Sequence, residues 1–336
     1  MTTPNGLSAL MEIRMCTHPI SIGSQRKACF LLKGLPSLSV RSASEDNKSN
    51  PETAPFFLYF ALYRPHLPWN QVPEEDEALY KNKPITLPDF ARYPDVKATA
   101  EQVSELTRQY YANITCADRN IGRVLDTLDE TGLSKNTIVI FIGDNGFMVG
   151  HSGLLGKGNA RKLDIYEDGR ILRNSTRANM FDDSVLVPFI IRWPGVVKPG
   201  STSKALVSTM DILPTLGVIA DVHPQSKTDG RSLLPILKSK TGSEWRDAYF
   251  DTYDMMYLGD KGEKPHMRMV RTNDWKLVLY NDDSETPLNG GQRHELFDLI
   301  ADPDEINNLY HSDQASSIQR DLEARLADWM RRSDVN

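Results

Sequence analysis

Thr137 to Gly158 reads TIVIFIGDNGFMVGHSGLLGKG. Its first six residues are all β-branched or aromatic, as in a strand covered on both faces, and the run breaks at Gly143 into Asp144-Asn145. In an open sheet, ligands collect beyond the carboxyl ends of strands, so the residues just after this run carry functional weight. Upstream, Val103, Leu106, Tyr110, Ile114, Ala117, Ile121, Val124, Leu125 and Leu128 recur by threes and fours, which predicts a long amphipathic helix from Thr99 to Gly132. Thr99 with Gln102 forms a capping box, and Gly132 suits the left-handed residue that closes a helix. Farther upstream, Pro55 to Pro65 (PFFLYFALYRP) is an apolar run of strand length that delivers the segment RPHLPW. Downstream, Val185 to Gly195 (VLVPFIIRWPG) is another. Strand, helix, strand in this order, with nearly continuous apolar strands, predicts an α/β fold: a mostly parallel sheet with helices on both faces.

Beyond residue 220 the texture changes. DAYFDTYD, HMRMVRTNDWKLVLY and HELFDL alternate apolar and polar positions, and SIQRDLEARLADWMRR has helical period, so a smaller antiparallel sheet with a helix is expected. Residues 1–50 lack a steady period and run into a polar linker at 41–54. The expected units are therefore 1–54, 55–220 and 221–336.

The net charge of −6 arises from 39 basic and 45 acidic residues spread along 336. No basic stripe invites a nucleic-acid backbone and no polybasic cluster invites anionic lipid. The longest apolar run, Phe56 to Tyr63, falls short of the ~18 residues of a membrane span. The first thirty residues lack the apolar core and cleavage site of a signal peptide, so the sequence assigns no location. Cys16, Cys29 and Cys116 have no zinc-type or CxxC spacing and read as buried free thiols.

Asp144 and Asn145 offer oxygen ligands to a hard divalent cation, although Asp-Asn-Gly is also good turn chemistry. The six glycines from Gly143 to Gly158 argue for a loop rather than a returning strand. Lys157, flanked by Gly156 and Gly158, either faces solvent or meets an anionic substrate. His66, held between two prolines in RPHLP, is either structural or a donor to an anion or leaving oxygen. His151 and Ser152 have no orienting partner in sequence, which speaks against a serine triad. The arginine-rich stretch 161–178 is an exposed loop or a rim that selects an anionic sugar.

Taken in order, these segments resemble the sulfatase family of the alkaline-phosphatase-like superfamily. PFFLYFALYRPHLPW is similar to its strand with (K/R)PHxP, and YYANITCADRNIGRVLDTLDETGLSKNTIVIFIGDNG to its helix, strand and metal-binding Asp-(Asn/His)-Gly. GHSGLLGKGNA resembles its glycine loop with a sulfate-binding lysine, NMFDDSVLVPFIIRWPG its next strand, and DWKLVLY with HELFDLIADPDEINNL its C-terminal signature. The resemblance spans about residues 52 to 330. It implies an α/β/α sandwich, calcium held by Asp144 and Asn145, sulfate oxygens met by His66 and Lys157, and a sulfated glycan or aryl sulfate ester as substrate.

Two family features are missing. Members carry paired acidic residues on a first strand and a Cys/Ser-x-Pro-x-Arg motif converted to formylglycine. CTHPI places Pro19 one residue too far from Cys16, while Asp182-Asp183 and Asp282-Asp283 sit in other contexts. The resemblance therefore implies a hydrolase lineage without its N-terminal catalytic segment, with a weak calcium site because Asp144 and Asn145 fall short of six to eight oxygens. A non-catalytic binder of sulfated ligands and a phosphatase or phosphonate hydrolase of the same superfamily are the alternatives.

Overall fold

The computed structural model describes residues 11–16, 56–91, 96–162, 164–165, 171–172, 178–222, 228–239, 245–254, 266–280 and 294–333. In chain order the elements are β1 (Met11–Cys16), α1 (Glu74–Ala78), α2 (Ala100–Glu130), β2 (Val139–Ile142), β3 (Met148–Val149), β4 (Leu154–Gly156) and β5 (Arg161–Lys162). Next come β6 (Asp164–Ile165), β7 (Ile171–Leu172), α3 (Asp182–Val185), β8 (Leu186–Arg192), β9 (Thr202–Ser208), α4 (Ile212–Ile219) and α5 (Leu234–Leu237). The chain closes with β10 (Tyr249–Asp254), β11 (His266–Arg271), β12 (Trp275–Tyr280), β13 (Glu295–Asp298) and α6 (Ser316–Arg332). No described helix is long and apolar enough to cross a membrane.

The long helix forms as its spacing predicts. Thr99 Oγ1 accepts from the Gln102 amide, Gln102 Oε1 accepts from the Thr99 amide, and Gly132 ends the helix region at φ 73°. Val103, Leu106, Ala112, Cys116 and Ala117 are buried along one stripe, and Cys116 is a free thiol. Cys29 lies outside the described residues, as does the linker at 41–54.

The central sheet corrects the expectation of mostly parallel strands. Its order is β2-β8-β1-β9, with β2 and β1 both antiparallel to β8, and only β1 and β9 parallel. The physical reason lies in the connections: parallel neighbours need a crossover, usually helical, and between β2 and β8 the described chain forms the three-stranded sheet β3-β4-β5, the ribbon β6-β7 and the four-residue α3. The apolar run before α2 does not form the strand that would begin a βαβ unit. Residues 56–63 are in no ladder, and Phe57, Tyr59 and Tyr63 are 55%, 63% and 67% exposed. Strand-like composition expresses itself only where backbone partners and a covering face are supplied. The position between β8 and β9 goes instead to β1, whose MEIRMC alternates apolar and polar residues within a stretch that otherwise lacks period.

Behind the central sheet, Phe189, Ile191 and Val207 pack with Leu233, Ile236 and Leu237 from α5 and the turn before it. The C-terminal unit is as expected: β10-β11-β12-β13 is antiparallel throughout, and Leu322 and Leu326 of α6 pack on Val270, Leu277 and Leu296. A buried ionic cluster ties the units together. Lys276 Nζ on β12 reaches Asp182 Oδ1 at 2.5 Å, Glu305 Oε1 at 2.6 Å and the Met180 carbonyl at 3.0 Å, while Arg271 Nη2 donates to Asp182 Oδ2 at 2.7 Å.

Candidate functional site

Beyond β2 the chain is pinned to the β8 side by two backbone bonds, Gly143 N to Pro188 O at 3.2 Å and Gly146 N to Ser184 O at 3.0 Å. Between them Asp144 and Asn145 form a self-supported turn. Asp144 Oδ1 accepts from the Asn145 amide at 3.0 Å, and Asn145 Nδ2 donates to Gly146 O at 2.7 Å. Asp144 is exposed and Asn145 half-buried. Gly146 is required by close approach, since a Cβ there would lie 2.1 Å from the Asp183 carbonyl oxygen.

The chain past Gly146 does not form the open loop that the glycines suggested. β3 returns as β4, with Met148 opposite Gly156 and Val149 opposite Leu155, through a turn in which Gly150 takes φ 84°. The hairpin returns the chain beside its starting point, so Lys157 leaves β4 next to the Phe147 end of β3, a few residues from Asp144 and Asn145. The Lys157 backbone is fixed from below: its carbonyl accepts from Ala160 N at 2.8 Å and from Asn179 Nδ2 at 3.1 Å, and Gly158 O accepts from Asn179 N at 2.9 Å. Asn179 is fully buried. A Cβ at Gly158 would stand 3.0 Å from the Tyr253 ring, whose phenol is pushed above its ordinary pKa by burial. The half-buried Lys157 side chain makes no ion pair among the described residues.

His66 is brought to the same neighbourhood by packing. Trp69 donates through Nε1 to Pro65 O at 2.7 Å, and its ring meets Phe147 edge-on at 5.6 Å and Tyr110 of α2 at 5.0 Å. The Arg64 guanidinium donates to the Asn113 side chain and the Gln71 carbonyl, and Asn113 Nδ2 donates to Trp69 O at 2.8 Å. The His66 ring is exposed, with Nδ1 at 2.8 Å from Leu67 O and Tyr63 at a centroid distance of 5.2 Å. RPHLPW, the Asp-Asn-Gly turn and the Lys157 loop thus converge on one apolar pivot, Trp69 against Phe147.

Several contributors escape a reading of the sequence alone. Asn113 is a polar residue inside a largely apolar helical stripe, which is the available signal for its role; Asn179 carries no such signal because the loop groups it holds are backbone groups 21 and 22 residues away. His151 does find a partner, in that its Nδ1 lies 3.0 Å from Asp183 Oδ2, and this hydrogen bond raises the imidazole pKa against the opposing effect of burial. Asp182 belongs to the buried cluster. The pair at 282–283 and most of 161–178 lie outside the described residues.

The donor set does not amount to a calcium site by itself. Asp144 and Asn145 supply two or three oxygens, calcium takes six to eight, and no group of three His, Cys, Asp or Glu suited to a metal occurs among the described residues.

Comparison with known proteins resolves the lineage. Residues 40–222 match the family model "Sulfatase", and residues 175–332 match "N-sulphoglucosamine sulphohydrolase, C-terminal". The chain belongs to the sulfatase family. Among relatives of this sulfatase-family protein, an N-acetylglucosamine-6-O-sulfatase of Bacteroides thetaiotaomicron is 33% identical over 219 residues, covering 64% of this chain and 34% of the relative. A solved structure of a protein in complex with its substrate D-glucosamine-2-N,6-O-disulfate superposes with a TM-score of 0.57 at 28% identity, covering 72% of this chain and 44% of that one. A phosphonate monoester hydrolase of Agrobacterium radiobacter superposes with a TM-score of 0.56 at 25% identity, covering 69% and 42%. The sulfatase-family chain spans 34% to 48% of the length of the first curated relatives it matches.

Proposed function

We propose that this chain carries the ester-binding part of a sulfuric ester hydrolase site for sulfated hexosamines in glycans. What supports this reading is that the segments bearing His66, the Asp144-Asn145 turn and Lys157 are brought together by the Trp69–Phe147 contact and the β3–β4 pairing. Lys157 contributes an ammonium free of ion pairing among the described residues, so it meets sulfate oxygens with no such partner to displace. His66 presents an exposed imidazole from a stiff segment, able to donate toward the sulfate or the departing sugar oxygen. Asp144 and Asn145 direct oxygens to a hard cation; when bound, such an ion would neutralise charge on the ester, and it needs further ligands beyond these two. The relatives named for glucosamine sulfates support the hexosamine assignment.

No Cys/Ser-x-Pro-x-Arg occurs in these 336 residues, so binding, not turnover, is the direct readout. Calorimetry with glucosamine 6-sulfate in the presence of calcium is expected to show heat that unsulfated glucosamine does not give. Lys157→Ala is expected to weaken that binding about tenfold, consistent with loss of a charge-assisted contact worth ~1.5 kcal/mol or more. Affinity untouched by Lys157→Ala would defeat the reading. Tighter binding of a phosphonate monoester than of the sulfate would move the site to the chemistry of the phosphonate hydrolase relative.

A further inference from the structure

Away from Lys157, a cavity of about 470 Å³ opens between the strand leading into β10, the turn before α5, and α6. That volume lies in the range of small-ligand sites. Four arginines line it: Arg231, Arg246, Arg325 and Arg332. The lining carboxylates are two, Asp247 and Asp328; the buried Asp211 lies beneath, and Asp321 stands 4.0 Å from Arg325, so the arginines are matched in number but not in pairing.

Of the four, Arg246 is built into place by a buried partner, and the others stand around it. Asp211, fully buried, accepts both Arg246 donors at 2.6 and 2.8 Å, and through the same carboxylate it takes the backbone amide of Arg231 at 2.8 Å. One carboxylate thereby sets the floor and positions the rim. Arg246 also lies over the Trp245 ring, 5.2 Å from its centroid. Phe250 forms the other aromatic wall and is backed by Trp329, stacked at 5.4 Å. The unmatched cation is Arg231, whose exposed guanidinium makes no ion pair among the described residues. Arg325 is held by solvent-exposed partners, Asp247 at 2.9 Å and Asp321 at 4.0 Å, which screening leaves weakly bound.

Aromatic faces beside guanidinium forks suit one ligand chemistry: a sugar ring that stacks on an aromatic and carries a sulfate or carboxylate for bidentate arginine contacts. We infer that this cavity is an exosite holding an anionic sugar unit of the same glycan whose ester meets Lys157; the inference rests on the function proposed above. The geometry connects the two places. Phe250 lines the cavity and Tyr253 abuts Gly158, both on β10, three residues or about 10 Å apart and on opposite strand faces by the alternation of side chains. β10 is the edge strand of its sheet, so an extended chain passing around that edge can reach both faces. The site therefore selects polymeric over monomeric substrates.

The test uses the full chain, a size-defined heparin hexasaccharide, and glucosamine 6-sulfate as a ligand too small to bridge. The Arg231→Ala/Arg325→Ala double variant is expected to weaken hexasaccharide binding tenfold or more and to leave the monosaccharide affinity within twofold. Neither residue is needed for the fold, since the Arg231 guanidinium makes no ion pair among the described residues and the Arg325 pair is exposed; an unchanged melting temperature checks this. Lys157→Ala is expected to weaken monosaccharide binding about tenfold, as above, and to leave hexasaccharide binding that still depends on Arg231 and Arg325. Hexasaccharide affinity that ignores the double substitution overturns the exosite. If the monosaccharide fails to bind while arginine-dependent hexasaccharide binding persists, the exosite stands and the ester-site reading falls.

Discussion

Asn179 sets the path of the loop from which Lys157 extends. Its side chain donates to the Lys157 carbonyl and accepts from the Phe181 amide at 3.2 Å, and its own amide holds Gly158 O. Asn179 itself is fully buried, and its bond to the Phe181 amide is out of reach of water, where a lost partner leaves a backbone group unsatisfied. Asn179→Ala is therefore expected to cost about 1–3 kcal/mol in urea unfolding. It should also weaken sulfate-ester binding while Lys157 itself is intact. A variant of unchanged stability and unchanged affinity would show that the loop is held by other contacts. The residues proposed to bear chemistry are legible in the sequence because they follow apolar runs or interrupt them, as His66, Asp144, Asn145 and Lys157 do. The one that fixes the Lys157 loop is not, because Asn179 acts on the Lys157 carbonyl, distant in sequence, through a contact that no local pattern encodes.

At the scale of elements, α2 shows why some of the fold can be read directly and some cannot. A helix satisfies its own backbone, so period, cap and closing glycine suffice, and Thr99, Gln102 and Gly132 all act as their positions imply. Thr99→Ala is expected to destabilise the chain by roughly 1 kcal/mol, since the exposed hydroxyl contributes only its capping bond. Ligand affinity should stay constant, and a shift in denaturation midpoint without a change in slope is the signature to look for. Strands depend on partners supplied elsewhere. PFFLYFALY has a stronger strand composition than MEIRMC, yet MEIRMC occupies the sheet and the aromatic run lies outside every ladder. Strand direction has the same origin: the small sheets and short α3 between β2 and β8 set antiparallel neighbours, and apolar content alone does not report that.

Across the whole molecule, the central region and the C-terminal sheet are coupled by charge. Lys276 is completely buried, and its ammonium is stabilised against desolvation by Asp182 and Glu305, which raise its pKa. Burial alone would raise the Asp182 carboxyl, but Lys276 and Arg271 hold it well below the usual carboxylate range. Glu305 goes the other way: burial, with the Asp182 charge nearby, pushes it up to about 7 against the pull of Lys276. The consequences for pH have opposite signs. Asp182 contributes stability that is present above its ordinary value of 3.8 and is lost in acid. Glu305 holds a proton in the folded state that the unfolded chain releases near 4.5, so its contribution is greatest below 4.5 and is lost as pH rises to about 7. Glu305→Gln keeps an oxygen for Lys276 but turns an amide donor toward the Asp182 N–H that Glu305 Oε2 now accepts, so it lowers overall stability while removing the titration, and the slope against pH is the readout. Unfolding free energies measured from pH 4.5 to 7 should therefore fall more steeply in the natural chain than in Glu305→Gln. Parallel profiles would mean that Lys276 keeps Glu305 ionised throughout, as expected if the 2.6 Å contact outweighs the cost of burial. The cluster would then act as a fixed ion pair, insensitive to pH in this range.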